Sequence, residues 1–440
     1  MTVPPLAPPI APVATPTAKA SEARLLFGLW LIALAARFAG VVLGILILGD
    51  MLVAEDSHGV YLPIAQNLAA GKGYQFYGTH YDATRIPPLY PIWLALLMAT
   101  VGPQVPLWLS GLFNAAFRAG GCVLLYLLAR RYFGERAARW AFALYLLDPW
   151  EALWVGYLLK ESLAVPLFLL GVWQLGRLAD APSGRTAALA GATIGLATLA
   201  RYPSGALWIA GLLVVIWILR REGGGARHLL RRGVRLVAAL TTGMLLVLSP
   251  WLVRNWRVTG QPVLSTHFVG RYFYTSNSPS RVLDTRGYAE AQGLDFALLR
   301  RTNAEQKPIQ GEGRLFLHAL RELLGRPDHI IVRIATKVAN MWRPTFGVSS
   351  LRNLLILALP YCVLMLLALG GIVVAVRQRL PCLAIVAPLA VMIAIHLVFW
   401  AEVRNRQYPM PLLHAFGGLA VARLLALGTR RMGPEGCGTH

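Results

Sequence analysis

Between residues 55 and 90 the chain reads EDSHGVYLPIAQNLAAGKGYQFYGTHYDATRIPPLY, which sets two adjacent carboxylates, Glu55 and Asp56, before an amphipathic stretch and Arg85. A carboxylate can take the proton of a hydroxyl nucleophile, and an arginine fork can bind a phosphate through two hydrogen bonds while staying charged. Further along, Glu161, Arg201, Arg254, Arg404 and Arg406 each stand where an apolar segment begins or ends. Charges are costly at membrane depth, so acids and guanidinium groups at segment ends imply a site that faces water yet lies close to lipid. That set of groups suits a lipid-borne phosphate, with one carboxylate left to act on a hydroxyl.

The composition demands such a setting. Of 440 residues, 56% are hydrophobic and 14% charged, with mean hydropathy +0.55, which is too little polar surface to cover a water-soluble core. The net charge of +22 lies beside apolar runs and not along one polar face, so it reads as membrane orientation and excludes nucleic acid as a partner. Cys122, Cys362 and Cys382 sit in apolar segments and Cys437 in the tail, with no pairing or zinc spacing. His58 and His80 read as loop histidines. No ligand spacing joins them, so no metal site is read from them.

A bilayer takes about 20 apolar residues per helix. Residues 1–24 read as a disordered cytoplasmic tail and 25–48 as the first span, with Arg37 inside it in need of a partner. The stretch 88–101 is short for a span and is expected to lie flat at the interface. The remaining spans are then 106–129, 137–159 with a kink at Pro149, 162–178, 186–200, 204–219, 236–252, 354–376, 382–400 and 408–427. This gives an all-α polytopic protein of about ten spans, with short basic turns inside. The domain plan is a membrane region at 25–252 holding the first exterior loop at 49–105, an exterior segment at 253–350 forming a small cap, final spans at 351–428 and a tail at 429–440. All the acids and arginines above then face the exterior edge. Bland readings stand beside this one. Arg254 fits a helix anchor between Trp251 and Trp256, Lys160 and Glu161 fit an interfacial ion pair, Gly71-Lys72-Gly73 fits a helix stop, and Asp148 fits either a further exterior acid or a buried residue at a kink.

The run Asp56, Tyr61, Ala65, Asn67-Leu68, Gly71-Lys72-Gly73-Tyr74 and Pro87-Pro88-Leu89-Tyr90-Pro91 resembles the first exterior loop of GT-C glycosyltransferases that use polyprenyl-phosphate sugars, among them the protein O-mannosyltransferases and the lipid A aminoarabinose transferase. Gly156 to Ser162 is similar to the second acidic motif of that group, Gly195 to Pro203 to its helix-end basic motif, Pro250-Trp251 to Arg254-Asn255 to the start of its large exterior loop, and Arg404 to Tyr408-Pro409 to its final basic motif. Two features depart from it: Asp56 stands one residue further from Tyr61 than in the pattern, leaving Glu55, Asp56 or Asp50 open as the essential acid, and the basic residue before the proline is displaced to Arg85.

The resemblance implies flat membrane-surface helices under an exterior cap, and inverting transfer of a sugar from a polyprenyl-phosphate donor to a glycan, lipid or protein acceptor at the outer face of the plasma membrane. It implies catalytic roles for Asp56, Glu161 and Glu55, and donor binding by Arg85, Arg201, Arg254, Arg404, Arg406 and Tyr408. A transporter or flippase for the same lipid would call for symmetric halves and polar residues at mid-depth. An oligosaccharide ligase would use the same class of donor. Some members of the resembled group set a divalent cation between the acids and the phosphate; here the arginines could do that work, and no metal is expected.

Overall fold

The computed structural model describes residues 16–48, 57–76, 78–157, 159–265, 269–277, 308–344 and 351–431, and their regular elements are all helices, joined by short turns, apart from one isolated bridge between Phe76 and Thr79. Glu55 and Asp56 lie outside the described residues, as does Asp50. Helix α1 is Pro16–Leu48. It begins earlier than residue 25 because the stretch before Leu25 is rich in alanine, a strong helix former. The first loop then carries α2 (Leu62–Ala69), the short α3 (His80–Ala83) and α4 (Leu89–Val101).

The bundle follows as α5 (Leu107–Phe133), α6 (Glu135–Leu147), α7 (Pro149–Gly156), α8 (Glu161–Asp180), α9 (Gly184–Ala200), α10 (Leu207–Glu222) and α11 (Ala226–Thr259). Helices α12 (Val269–Asn277), α13 (Pro308–Gly325) and α14 (Pro327–Trp342) come next, and α15 (Leu359–Arg377), α16 (Leu383–Val398) and α17 (Pro409–Arg431) complete the chain.

Among the described residues seven helical segments are long and apolar enough to cross a bilayer, α10 counted with the 3₁₀ turn that precedes it (Tyr202–Glu222) and α15 with the helical turn Leu354–Ala358. The other three of the ten expected spans are shorter for local reasons. The stretch 137–159 divides at Asp148, whose side chain accepts from Trp150 N at 2.9 Å and caps α7 just before Pro149; proline fits a first helical turn but not a helix interior. Helix α9 has 17 residues, opened by a Ser183–Thr186 capping box and released at Arg201, whose backbone is extended. Helix α16 has 16. Helix α11 instead runs past residue 252, through Pro250, to Thr259, where Gly260 closes it in the left-handed region (φ 74°). Its 34 residues span about 50 Å, so both ends project beyond a hydrocarbon core.

Close helix approach sets the bundle. A Cβ at Gly191 would lie 1.8 Å from Leu240 O, and one at Gly243 would lie 2.1 Å from Ala188 O, so α9 and α11 pack backbone to backbone, as small residues permit in membranes. Helix α17 lies against α15 and α6, and α5 joins α1, α6 and α8. Buried Arg37 finds its partner in α6, donating from Nη2 to Tyr145 O at 2.5 Å. Helix α2 turns its buried Ile64 and Ala65 inward and packs on α4. It stops as a Schellman motif, with Gly71 N bonded to Leu68 O and Lys72 N to Asn67 O. The helix-stop reading of Gly71-Lys72-Gly73 therefore holds. Helices α12 and α13 share a small core of Phe273, Tyr274, Leu315, Ala319 and Leu323.

Candidate functional site

Where α8 and α10 begin and α9 and α16 end, the helix termini surround a cavity of about 520 Å³. Each wall has a local cause. Lys160 and Glu161 open α8. Arg201, Tyr202 and Pro203 enter a 3₁₀ turn, Tyr202–Ala206, because Pro203 lacks the N–H that would continue α9. Trp400, Glu402, Arg404 and Asn405 follow α16 into a second 3₁₀ turn, Val403–Gln407, before Pro409 starts α17. Val60, Tyr61, Arg85, Ile86 and Pro87 come from the first loop, and Tyr272 from α12.

Glu161 organises the charges. It is 1% exposed and accepts two bonds from Arg404, from Nε at 2.9 Å and from Nη2 at 2.8 Å. Arg201 Nε stands 4.0 Å from the same carboxylate. Arg201 also donates to Asn405 Oδ1, lies over the Tyr408 ring at 4.6 Å, and Asn405 is held in turn by Trp400 O at 2.8 Å. Burial disfavours the Arg201 charge, but neighbouring Tyr408 and Glu161 outweigh it and raise the guanidinium pKa. Lys160 sits over the Tyr61 ring at 5.5 Å and adds its charge to the field at Glu161, whose hydrogen-bonded partner across the fold is Arg404. Arg85 lies over Phe76 at 5.0 Å, and its Nε is buried with no hydrogen-bond partner.

Among the described residues the lining carries four cations, Arg85, Lys160, Arg201 and Arg404, against two carboxylates, Glu161 and Glu402, a net of +2. Ile86, Pro87, Ile395, Phe399 and Trp400 make the remaining wall apolar. A positive cavity with one apolar side fits a phosphate attached to a hydrocarbon chain. The bidentate clamp holds the guanidinium groups in place before any ligand arrives, which is the condition for electrostatic stabilisation of a departing anion.

Three expected donor-binding residues stand behind this lining. Arg254 sends Nη1 to Thr84 Oγ1 at 2.6 Å and Asn255 Oδ1 at 3.0 Å, and Nη2 to Tyr74 O at 2.9 Å and His80 O at 2.8 Å. Its fork is spent on fastening residues 74–84 to α11. Arg406 lies between the Trp150 ring at 4.4 Å and the Tyr361 ring at 4.3 Å and donates to Arg343 O at 2.6 Å. Tyr408 is fully buried beneath Arg201. Asp148 is the buried kink residue of its two readings, with Oδ2 at 3.2 Å from His414 Nε2. His80 opens the short α3 of the first loop, its Nδ1 at 3.0 Å from Tyr74 O. Among the described residues no three His, Cys, Asp or Glu side chains come together as a metal site.

Sequence reasoning missed Asn405, Glu402 and His396, all in the lining. A lone polar residue in the last turn of the apolar helix α16 was a signal for His396. Asn405 and Glu402 gave none, since their placement depends on a turn packed against α9.

The family profile for dolichyl-phosphate-mannose-protein mannosyltransferase matches residues 86–253. A comparison with curated proteins gives no match. Among solved structures the chain is similar to ArnT from Cupriavidus metallidurans bound to undecaprenyl phosphate, at 17% identity over 93% of this chain and 79% of that one, TM-score 0.43. It is also similar to the apo oligosaccharyltransferase of Archaeoglobus fulgidus, at 17% identity over 94% of this chain and 53% of that one, TM-score 0.48. For AglB of the same organism, in complex with an inhibitory peptide and a dolichol-phosphate, the values are 14%, 95%, 53% and 0.45. The chain therefore spans about half the length of those archaeal proteins. Residues 86–253, which supply Lys160, Glu161 and Arg201 to the cavity, match a family of GT-C glycosyltransferases, the dolichyl-phosphate-mannose-protein mannosyltransferases.

Proposed function

We propose that the protein moves a sugar from a polyprenyl-phosphate donor to an acceptor at the exterior face of the plasma membrane, with inversion. The observation that carries this reading is the clamp of Arg404 and Arg201 on buried Glu161, in a net-positive cavity with an apolar wall. In a single displacement an acceptor oxygen bonds to the sugar's anomeric carbon as the bond from that carbon to the phosphate oxygen breaks. The electron pair leaves with polyprenyl phosphate, and one inversion of configuration results.

Arg85, Lys160, Arg201 and Arg404 balance the charge gathered on that phosphate. A phosphate leaves readily, so no strong general acid is required. The acceptor proton goes to a carboxylate of the first loop, Asp56 in our reading, with Glu55 the competing candidate. Asp56 directly precedes the helical turn Ser57–Tyr61, which ends on the cavity residue Tyr61. General-base removal typically lowers turnover by about 100- to 10,000-fold. Glu161, with both oxygens engaged, positions arginines and does not take a proton. Arg254, Arg406 and Tyr408 act behind it by holding the loop and the guanidinium groups.

The test is sugar transfer and polyprenyl phosphate release in membranes that carry Asp56→Asn or Glu55→Gln at wild-type expression. Loss confined to Asp56→Asn supports the assignment. Near-normal turnover in that variant removes Asp56 from the reaction.

A further inference from the structure

At the opposite end of the same helices a second, smaller pocket of about 190 Å³ lies between the last turns of α5, α8 and α10 and the start of α16. Helix α8 connects the two sites. Glu161 opens it and Asp180 closes it, the two ends of a 20-residue helix about 28 Å apart, close to the thickness of a hydrocarbon core. The pocket therefore sits at the other membrane edge.

Its chemistry differs from its surroundings. Arg131 and Arg221 face it with Tyr132, Trp217 and a single acid, Asp180. Arg131 donates through Nη2 to Gly176 O at 2.8 Å and also to Asp180, and lies over the Trp173 ring at 5.1 Å. Arg221 lies over Trp217 at 4.5 Å. Two buried groups make no well-formed hydrogen bond, Arg131 Nε and the Tyr132 hydroxyl; the hydroxyl oxygen lies close to the Arg131 side chain, which leaves the O–H proton without an acceptor, and an unsatisfied buried donor is strongly unfavourable. The position of Gly176 admits them: a Cβ there would stand 2.7 Å from Tyr132 Oη and 3.6 Å from Arg131 Nε. Aromatic rings at headgroup level, a net-positive lining and idle N–H and O–H donors are what a phosphoryl oxygen satisfies.

We infer that this pocket binds a phosphoryl group at the membrane edge opposite the large cavity, carried by an anionic lipid headgroup or by free phosphate. The lipid would lay its acyl chains along α10 and α16 while the phosphate meets Arg221, Arg131 Nε and the Tyr132 hydroxyl. The site does not depend on the glycosyltransferase reading.

The experiment uses the full chain in detergent, titrated with phosphatidylglycerol, phosphatidylcholine or inorganic phosphate, with retained ligand counted by native mass spectrometry. Wild type should hold one phosphatidylglycerol that Arg221→Gln binds about tenfold more weakly, the effect of losing one charge-assisted contact. Tyr132→Phe keeps the ring and removes only the hydroxyl, so it should fold as wild type and still bind less tightly. Selective retention of phosphatidylglycerol assigns the ligand to the membrane. Binding of inorganic phosphate with the same sensitivity to both variants assigns it to the free anion. Equal retention of every ligand by wild type, Arg221→Gln and Tyr132→Phe overturns the inference.

Discussion

Glu161→Gln tests whether the arginine clamp, and not a second catalytic acid, is what the buried carboxylate provides. The carboxylate accepts from Arg404 at 2.9 and 2.8 Å; charge-assisted bonds contribute about 1.5–3 kcal/mol each and neutral ones about 0.5–1.5. Glutamine keeps one neutral acceptor and turns an N–H₂ toward the other arginine nitrogen, a net loss of about 2–4 kcal/mol. Arg404 is 18% and Arg201 11% exposed, so water replaces part of the lost interaction. Halving the loss for that screening leaves about 1–2 kcal/mol, or roughly 5- to 30-fold in turnover. The lining gains a net positive charge, so donor affinity should hold. The expected pattern is a fall in kcat at unchanged or lower donor KM, with partial recovery in Glu161→Asp, which retains the charge. The assay is donor turnover in proteoliposomes, on protein shown to be folded by size exclusion and thermal unfolding. A higher donor KM at wild-type kcat would refute the positioning argument, because it would mean that the carboxylate itself holds the sugar. A loss above about 1000-fold would mean it takes part in the chemistry.

Arg254→Lys should free residues 74–84, since one ammonium cannot reach the four acceptors the guanidinium now serves; faster hydrogen exchange there with lower activity is expected, and unchanged exchange contradicts it. Lys337 of α14 donates to Asn277 Oδ1 at 2.7 Å, Leu397 O at 2.9 Å and Val398 O at 3.1 Å. Burial, with Arg333 nearby, lowers its pKa from 10.5 to about 7. The unfolded chain binds the extra proton between those values, so stability should rise with pH from about 7 towards 10; a Lys337→Met chain whose melting temperature tracks wild type across that window would disprove the linkage. Gly191→Val places a side chain against the Leu240 backbone and should cost at least about 1–3 kcal/mol, read as loss of the monodisperse peak in size exclusion.

Much of the architecture was legible because membrane helices are written locally. Apolar length marked the spans, Gly71-Lys72-Gly73 a helix stop and Pro149 a break, each through backbone geometry within one turn. The span count was less legible, since α9 and α16 fall short of span length while burying their faces against neighbours. Apolar length gave the span within α11 but not the end of the helix, which runs on past residue 252 to Thr259 and is closed by Gly260.

Residue type and position along the chain were enough to assign the membrane class, the helices and the gathering of acids and arginines at segment ends, because hydrophobic length and capping act over a few residues. They were not enough to assign which guanidinium serves which partner. Glu161 and Arg404 are 243 residues apart in the chain, and Arg254 meets Thr84 across 170. Those pairings come from how α8, α9, α11 and the turn after α16 pack together. Helix packing alone separates an arginine that faces the cavity from one spent on holding a loop.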